Sequence, residues 1–468
     1  MRGGLPYLII LQCAGVLWLG GCAARKFVPA PISLPQSATS LEARNLDDPA
    51  MRAWMEQNAG FKTPDWPVAV WKPDAVTFAA YYFSPDLDVA RANVAASTAA
   101  IRTAAAKPNP SLSVGPGLST SPVSPYIFHF NFSVPIETAG KRGYRIAAAT
   151  HLSDAALLRL GETAWTVRSR VRAALVDYLF SMRNVELLRN EEKIRTENVN
   201  LIEKGFRAGE ISSPNLNQAR TDLATFRLTL RAAEGQVGAN LATLAAAIGV
   251  PAAALEGKSF RWAGIERPSP EKVLAIDSIR KAAVLNRLDV RRSLIEYEAA
   301  QSNLQLEIAK QYPDVDIGPG YDLDEGLNLF TIAATLILPI RNRNEGPIAE
   351  ADAKRKVAGA TLLNVQAQVI AQSDKALAQY RAVHATLDDA DRAFNLQAEQ
   401  ERLAGKAFAA GEVDRLSLIG AQLQTAVGAR ARLDTLRQAQ VALGAVEDAI
   451  QRPLDASSAA GLPHGAPR

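Results

Sequence analysis

Side chains able to do chemistry are few and scattered. The 468-residue sequence carries two cysteines, Cys13 and Cys22, and four histidines, His129, His151, His384 and His464. Two cysteines exclude a disulfide-rich scaffold and a Cys-ligated zinc or iron–sulfur domain. His129 lies in an alternating stretch and could point into an aqueous interior, but no second ligand stands near it in sequence. His151 and His384 fall on helical stretches. The pattern predicts no metal site and no cofactor. A Walker-type phosphate loop is missing, and so are Gly-x-Ser-x-Gly and His-Glu-x-x-His, which argues against an ATPase and against an anchored enzyme. Carboxylates sit mostly beside basic residues, as in Arg189-Asn190-Glu191-Glu192-Lys193, the pattern of a solvated face. No catalytic residue is expected.

One thiol has a readable chemical fate. Arg2 precedes an apolar stretch from Leu5 to Leu19, too short to span a bilayer comfortably, and the stretch closes on Leu19-Gly20-Gly21-Cys22. Small residues before a cysteine suit a peptidase that cleaves just ahead of a lipid-modified residue, and the segment resembles the lipobox of bacterial lipoproteins. Residues 1–21 then read as a lipoprotein signal peptide, with Cys22 as the lipid attachment site, bearing palmitate-type chains. Cys13 would be discarded, leaving Cys22 no disulfide partner. Ala23 in place of Asp favours the outer membrane, by resemblance to lipoprotein sorting. An ordinary signal peptide with an incidental cysteine is the alternative.

Composition narrows what must hold these residues. Lys+Arg 52 against Asp+Glu 48 leaves a net charge of +4, with no basic field for a dedicated nucleic-acid binder. A mean hydropathy of -0.04 with a single long apolar run excludes a polytopic helical membrane protein. Aromatic content of 6% beside abundant Ala points to long helices packed through small residues. Residues 22–73, rich in Pro, read as a mostly extended tether with a short helix around Met51–Asn58.

The remainder is one unit written twice, at a spacing of about 200 residues, far longer than a solenoid period. Leu87-Asp88-Val89 matches Leu288-Asp289-Val290, and Pro110–Gly117 matches Pro313–Gly320. Val134-Pro135-Ile136 matches Leu338-Pro339-Ile340, and Phe206–Ile211 matches Phe408–Val413. Repeat one covers 74–260, with strands at 110–136 and a helical hairpin at 140–248. Repeat two covers 261–452, with strands at 313–340 and a hairpin at 346–450. Residues 453–468 read as a disordered tail.

Phe128, Phe130, Phe132 and Val134 alternate with His129, Asn131 and Ser133, so this strand has one apolar and one polar face. Ile332 and Leu336 take the apolar parity in repeat two. Strands of this length suit a membrane-spanning barrel, where Phe128, Phe130, Phe132, Ile332 and Leu336 would face lipid. A soluble antiparallel sheet packed on helices fits them as well. The helices are more telling. Val167, Val171, Ala174, Tyr178, Met182 and Val185 form a stripe, as do Val369, Ala376, Tyr380, Val383 and Leu387, and Leu216 to Ile248 sustains a near-heptad seam. A helix of about 60 residues is roughly 90 Å long and must pack side by side with others. Its turns, at Gly205–Pro214 and Gly405–Leu416, use Gly209 and Gly411 as left-handed caps, with Ser213 as an N-cap before Pro214. Four strands per chain cannot close a barrel, and open edges are not tolerated in lipid, so spanning strands require several chains.

Three segments complete the pattern: Lys107-Pro108-Asn109-Pro110, Ile136-Glu137-Thr138-Ala139-Gly140-Lys141-Arg142 and Leu338–Ile348. With the duplication and the lipobox, they resemble the TolC family of outer-membrane efflux channels over about residues 74–450, most of all the lipid-anchored branch that includes CusC and CzcC. The resemblance implies an α+β membrane protein. A long coiled-coil α-helical barrel would extend from a trimeric 12-stranded β-barrel with four strands per chain. It implies a lipid-anchored homotrimer of the outer membrane with a long periplasmic portion. Its partners would be a periplasmic adaptor and an inner-membrane pump of the RND type, and it would act as a passive conduit. Gly209, Glu210, Asn215, Leu216, Gly411, Glu412 and Leu418 match the adaptor-docking tip, where plain C-capping also explains the glycines. The acidic ring that well-known relatives carry after these turns is missing, since Pro214-Asn215-Leu216-Asn217 and Leu416–Gly420 hold no carboxylate. A type I secretion duct and a non-conducting coiled-coil lipoprotein of the envelope are the rival readings.

Overall fold

The computed structural model describes residues 25–59, 66–268 and 276–454. Cys13, Cys22, His464 and most of the expected tail lie outside the described residues. Residues 25–43 belong to a unit of their own, which holds helix α1 (Leu34–Glu42), with no residue buried.

The second unit begins at Arg44. Its elements run α2 (Pro49–Ala59), β1 (Val70–Trp71), α3 (Pro73–Phe83), α4 (Pro85–Ala105), β2 (Ser111–Leu118), β3 (Tyr126–Ile136), α5 (Lys141–Arg207) and α6 (Ser213–Ile248). Repeat one closes with β4 (Ser259–Phe260), and repeat two follows with α7 (Ile276–Asn286), α8 (Leu288–Ala309), β5 (Val315–Asp324), β6 (Leu327–Leu336), α9 (Glu345–Ala409) and α10 (Arg415–Ile450). Pro73 and Pro85 open their helices, where the missing N–H would be unpaired anyway. The 67 residues of α5 give a rod about 100 Å long. Helix α4 packs along its first part and α6 along the remainder, and α8 and α10 do the same for α9.

The core lies where the two repeats meet. Leu46, Met51, Met55 and Trp71 are fully buried there against Val76 and Phe83 of α3, Val171 and Leu175 of α5, and Leu244 and Ile248 of α6. This corrects the extended tether: beyond Arg44 the Pro-bearing segment is part of the body, and α2 presents Met51 and Met55 one turn apart. Each fully buried side chain of this size contributes about 1.5–3 kcal/mol. Inside the core, Arg168 and Arg172 of α5 both reach the buried Glu447 carboxylate of α10, at 3.2 and 3.1 Å. The Leu454 amide donates to its other oxygen at 2.8 Å. Arg172 also donates to the Gln440 carbonyl at 2.8 Å.

The helical stripes fall where periodicity places them, with one exception. Val167, Val171, Ala174, Tyr178 and Val185 are buried, and so are Leu216, Leu223, Phe226 and Leu230, but Met182 is exposed. Over 67 residues the buried stripe of α5 passes from one neighbour to the next, and it is interrupted at the exposed Met182.

Candidate functional site

Strands β2, β3, β5 and β6 form one antiparallel sheet in that order, leaving β2 and β6 as open edges among the described residues. Residues directly opposite one another share a face. Leu112, Val114 and Pro116 stand opposite Phe132, Phe130 and Phe128. Phe130 stands opposite Tyr321, which stands opposite Phe330. Pro319 pairs with Ile332 and Val315 with Leu336. The apolar parities of all four strands therefore coincide on one face. Across the other run Ser113–Asn131, His129–Asp322 and Asp316–Thr335, with Ile127, Leu327 and Leu329 as its apolar exceptions near the hairpin end.

Among the described residues no helix packs over this sheet. All ten residues of β6 are exposed, with Ile332 at 85% and Phe330 at 81%. Phe128, Phe130 and Phe132 are half-buried by their own sheet neighbours. A soluble sheet packed on helices would need a covering helix, and none of the described helices supplies one. The sheet therefore presents one bare apolar face backed by a polar one, with an open edge on either side among the described residues. His129 finds a partner that its sequence neighbourhood concealed: its Nδ1 lies 2.6 Å from Oδ1 of Asp322. Among the described residues no group of three His, Cys, Asp or Glu could hold a metal.

The motif Glu137–Arg142 builds the joint between sheet and rods. Ala139 and Gly140 take positive φ values of 54° and 73° and turn the chain from β3 into α5. Lys141 is thereby buried, and its Nζ donates to the Tyr312 carbonyl at 2.6 Å and to Asp314 at 2.7 Å. The Thr138 amide donates to the same carboxylate at 2.9 Å. Arg145 pairs with Glu137, and Arg142 donates to the carbonyl of Ala105 at the end of α4. In repeat two, Asn344 at φ 63° donates to the Glu307 carbonyl at 2.7 Å. In the sequence these joint residues count only toward the family resemblance, and Ala139-Gly140 ahead of Lys141 is the local signal of a turn there.

Both helix turns lie at the far end of the hairpins, and their geometry is the same. Gly209 and Gly411 have φ of 79° and 77°. The Glu210 amide donates to Gly205 and the Glu412 amide to Ala407, both at 2.9 Å, while Gly209 and Gly411 donate to Phe206 and Phe408 at 3.0 Å. This is the double bond pattern of a Schellman cap, which needs a residue tolerant of the left-handed region. Ser212, not Ser213, is the N-cap of α6, because Ser213 already has helical geometry. Asp414 caps α10 by accepting from the Ser417 amide at 2.8 Å. Hydrogen bonding from the Ser417 side chain first, and then from its amide, holds the Asp414 carboxyl below its ordinary range. The hydrogen bond from Arg207 first, then the charges of Arg207 and Arg220, do the same for Glu203.

Gly209, Glu210, Asn215, Gly411 and Glu412 are exposed on this tip. Leu216 and Leu418 are buried and brace the turns from within, so their side chains offer no surface to a partner. The reason is helical phase: each lies on the stripe facing the neighbouring helix. Arg415 reaches across to Glu197 of α5 at 2.6 Å, tying the second hairpin to the first.

Residues 81–250 match the family model described as outer membrane efflux protein. The chain is 26% identical over 302 residues to the cobalt-zinc-cadmium resistance protein CzcC of Cupriavidus metallidurans, covering 62% of this chain and 69% of that one. Among solved structures, the outer membrane protein VceC of Vibrio cholerae superposes with a TM-score of 0.66 at 19% identity, over 86% of this chain and 99% of that chain. CusC does so with a TM-score of 0.64 at 15% identity, over 84% and 96%.

Proposed function

We propose, from the premise that this chain belongs to the TolC family of outer-membrane efflux channels, that three copies close their sheets into one 12-stranded barrel and their hairpins into a periplasmic conduit. Members of this family are channels, not enzymes. The observation that carries the proposal is the sheet: one bare apolar face, one polar face and two unpaired edges on the ends of rods about 100 Å long. Neighbouring copies would join β6 to β2, removing every open edge, with the apolar face to lipid and His129 and Asp322 to the lumen.

In this reading the channel is passive. A periplasmic adaptor docks on the exposed Gly209, Glu210, Asn215, Gly411 and Glu412, and an inner-membrane pump of the RND type supplies the energy. Cys22 anchors each chain by its acyl groups. The likeness to a cobalt-zinc-cadmium resistance protein favours divalent cations as cargo, and they would pass without a built binding site.

The test is growth of a deletion strain on cobalt, zinc and cadmium and on dyes and antibiotics, with complementation by wild type. Metal-selective sensitivity, with heat-modifiable trimers in the outer-membrane fraction, is the expected result. Sensitivity to organic toxicants alone would reassign the cargo, and monomers alone would overturn the assembly.

A further inference from the structure

Immediately after β6 the chain runs Ile337-Leu338-Pro339-Ile340-Arg341-Asn342-Arg343 into α9. Ile337, Leu338 and Ile340 are exposed at 84%, 60% and 75%. Leu338 and Ile340 keep the even parity of the apolar residues of β6, beyond its last paired residue, Leu336. Arg341 and Arg343 follow at once, both exposed. Several cations around this joint carry carboxylate partners: Lys141 with Asp314, Arg145 with Glu137, Lys310 with Glu307, Lys354 with Glu350 and Lys356 with Asp352. Among the described residues, the guanidinium groups of Arg341 and Arg343 have no such partner. Lys107, at the same end of the sheet beside β2, is likewise exposed and unpaired. Glu345, in the first turn of α9, is the nearest carboxylate in sequence.

We propose that residues 337–343 form a headgroup site for anionic phospholipid of the periplasmic leaflet. The apolar residues enter the acyl region, and Arg341 and Arg343 hold the phosphates. Two features name this occupant. The patch is continuous with the face that meets lipid, and its only charges beyond the apolar run are cations left unneutralised by the protein, in the order in which a bilayer presents acyl chain and then phosphate. A planar guanidinium pairs two phosphate oxygens at once, which makes it the better anchor of the two basic side chains. The site would set the depth of the barrel and keep the joint at the membrane surface. It rests on the lipid-facing assignment made above.

The experiment is a lipid titration of the full-length, detergent-extracted trimer, read by native mass spectrometry, with phosphatidylglycerol and phosphatidylethanolamine as probes. Wild type should retain phosphatidylglycerol preferentially, and inorganic phosphate should not compete it away. An exposed arginine near an anionic surface is worth roughly fivefold in binding, so R341Q/R343Q should lose about 25-fold in phosphatidylglycerol affinity. R341K/R343K should keep most of it, and both variants should still migrate as trimers. Unchanged retention in R341Q/R343Q would overturn the site. Loss of trimers in both variants would show a subunit interface in its place, also overturning it. Competition by inorganic phosphate would make it an anion site without a lipid. Failure of wild type itself to reach the outer membrane would instead overturn the barrel reading beneath it.

Discussion

Lys141 Nζ lies 2.7 Å from Oδ1 of Asp314, so a residue at the start of α5 in repeat one grips the chain just ahead of β5 in repeat two. The lysine is 7% exposed at its side chain and also donates to the Tyr312 carbonyl. This contact seals the seam between the repeats where sheet gives way to helix. Lys141→Met should cost about 1–3 kcal/mol, as expected for a charged hydrogen bond lost from a buried site. It should appear as a lower temperature for trimer dissociation on gels. Lys141→Met combined with Asp314→Asn should cost less than the two single changes summed. An unchanged dissociation temperature in Lys141→Met would remove the clamp from the account.

Glu447 is the most committed carboxylate of the core. Glu447→Ala would remove the buried carboxylate that both Arg168 and Arg172 reach, and breaking a buried pair in this way costs about 3–5 kcal/mol. Thermal unfolding followed by circular dichroism should shift down strongly, and Glu447→Gln should fall between. A shift no larger than that of an exposed change such as Glu210→Ala would count against a central role.

Gly318 sits where β5 passes tightly against β3. A Cβ there would run into the Phe132 carbonyl, which is backbone and cannot swing aside. Gly318→Val should therefore disrupt the β3–β5 pairing and abolish assembled trimers in the outer membrane. Wild-type levels of trimer in this variant would show that the strands can separate at no cost.

The two faces of the sheet can be told apart by parity. Ile332→Lys places a charge on the apolar face, where an exposed cation in lipid costs about 2–4 kcal/mol near the bilayer midplane. Thr335→Lys places the same charge on the polar face opposite Asp316. Outer-membrane yield should collapse for the first and hold for the second. The reverse pattern would turn the sheet inside out.

The tip should respond to acid in a defined direction. The Ser417 side chain, and after it the Ser417 amide, hold the Asp414 carboxyl below its ordinary value, so the cap's stabilisation is fully present above the unfolded-state value and is lost as pH falls through the lower folded-state value. Amide exchange at Ser417, corrected for intrinsic rates, should be constant at neutral pH and quicken only under strongly acid conditions. Asp414→Ala should show the quickened exchange already at neutral pH.

Local periodicity carried much of this protein into its sequence. The alternation from Phe128 to Val134 states which side chains share a face, and the paired Gly209 and Gly411 state where each rod must turn, because both depend on neighbours a few residues away. The duplication made the two halves legible together. What the sequence concealed are relationships between distant positions. Residues 22–73 read as a tether because their prolines are a local signal, whereas the burial of Met51, Met55 and Trp71 depends on α3, α5 and α6 closing over them. Leu216 and Leu418 could be assigned to a tip from their place in the turn, but only packing against the neighbouring helix decides that they face inward. The sheet order, the pairing of His129 with Asp322, the grip of Lys141 on Asp314 and the burial of Glu447 between two arginines join residues that no spacing rule connects. They exist because two folded copies of one unit meet along a single seam, and that seam is a property of the tertiary structure.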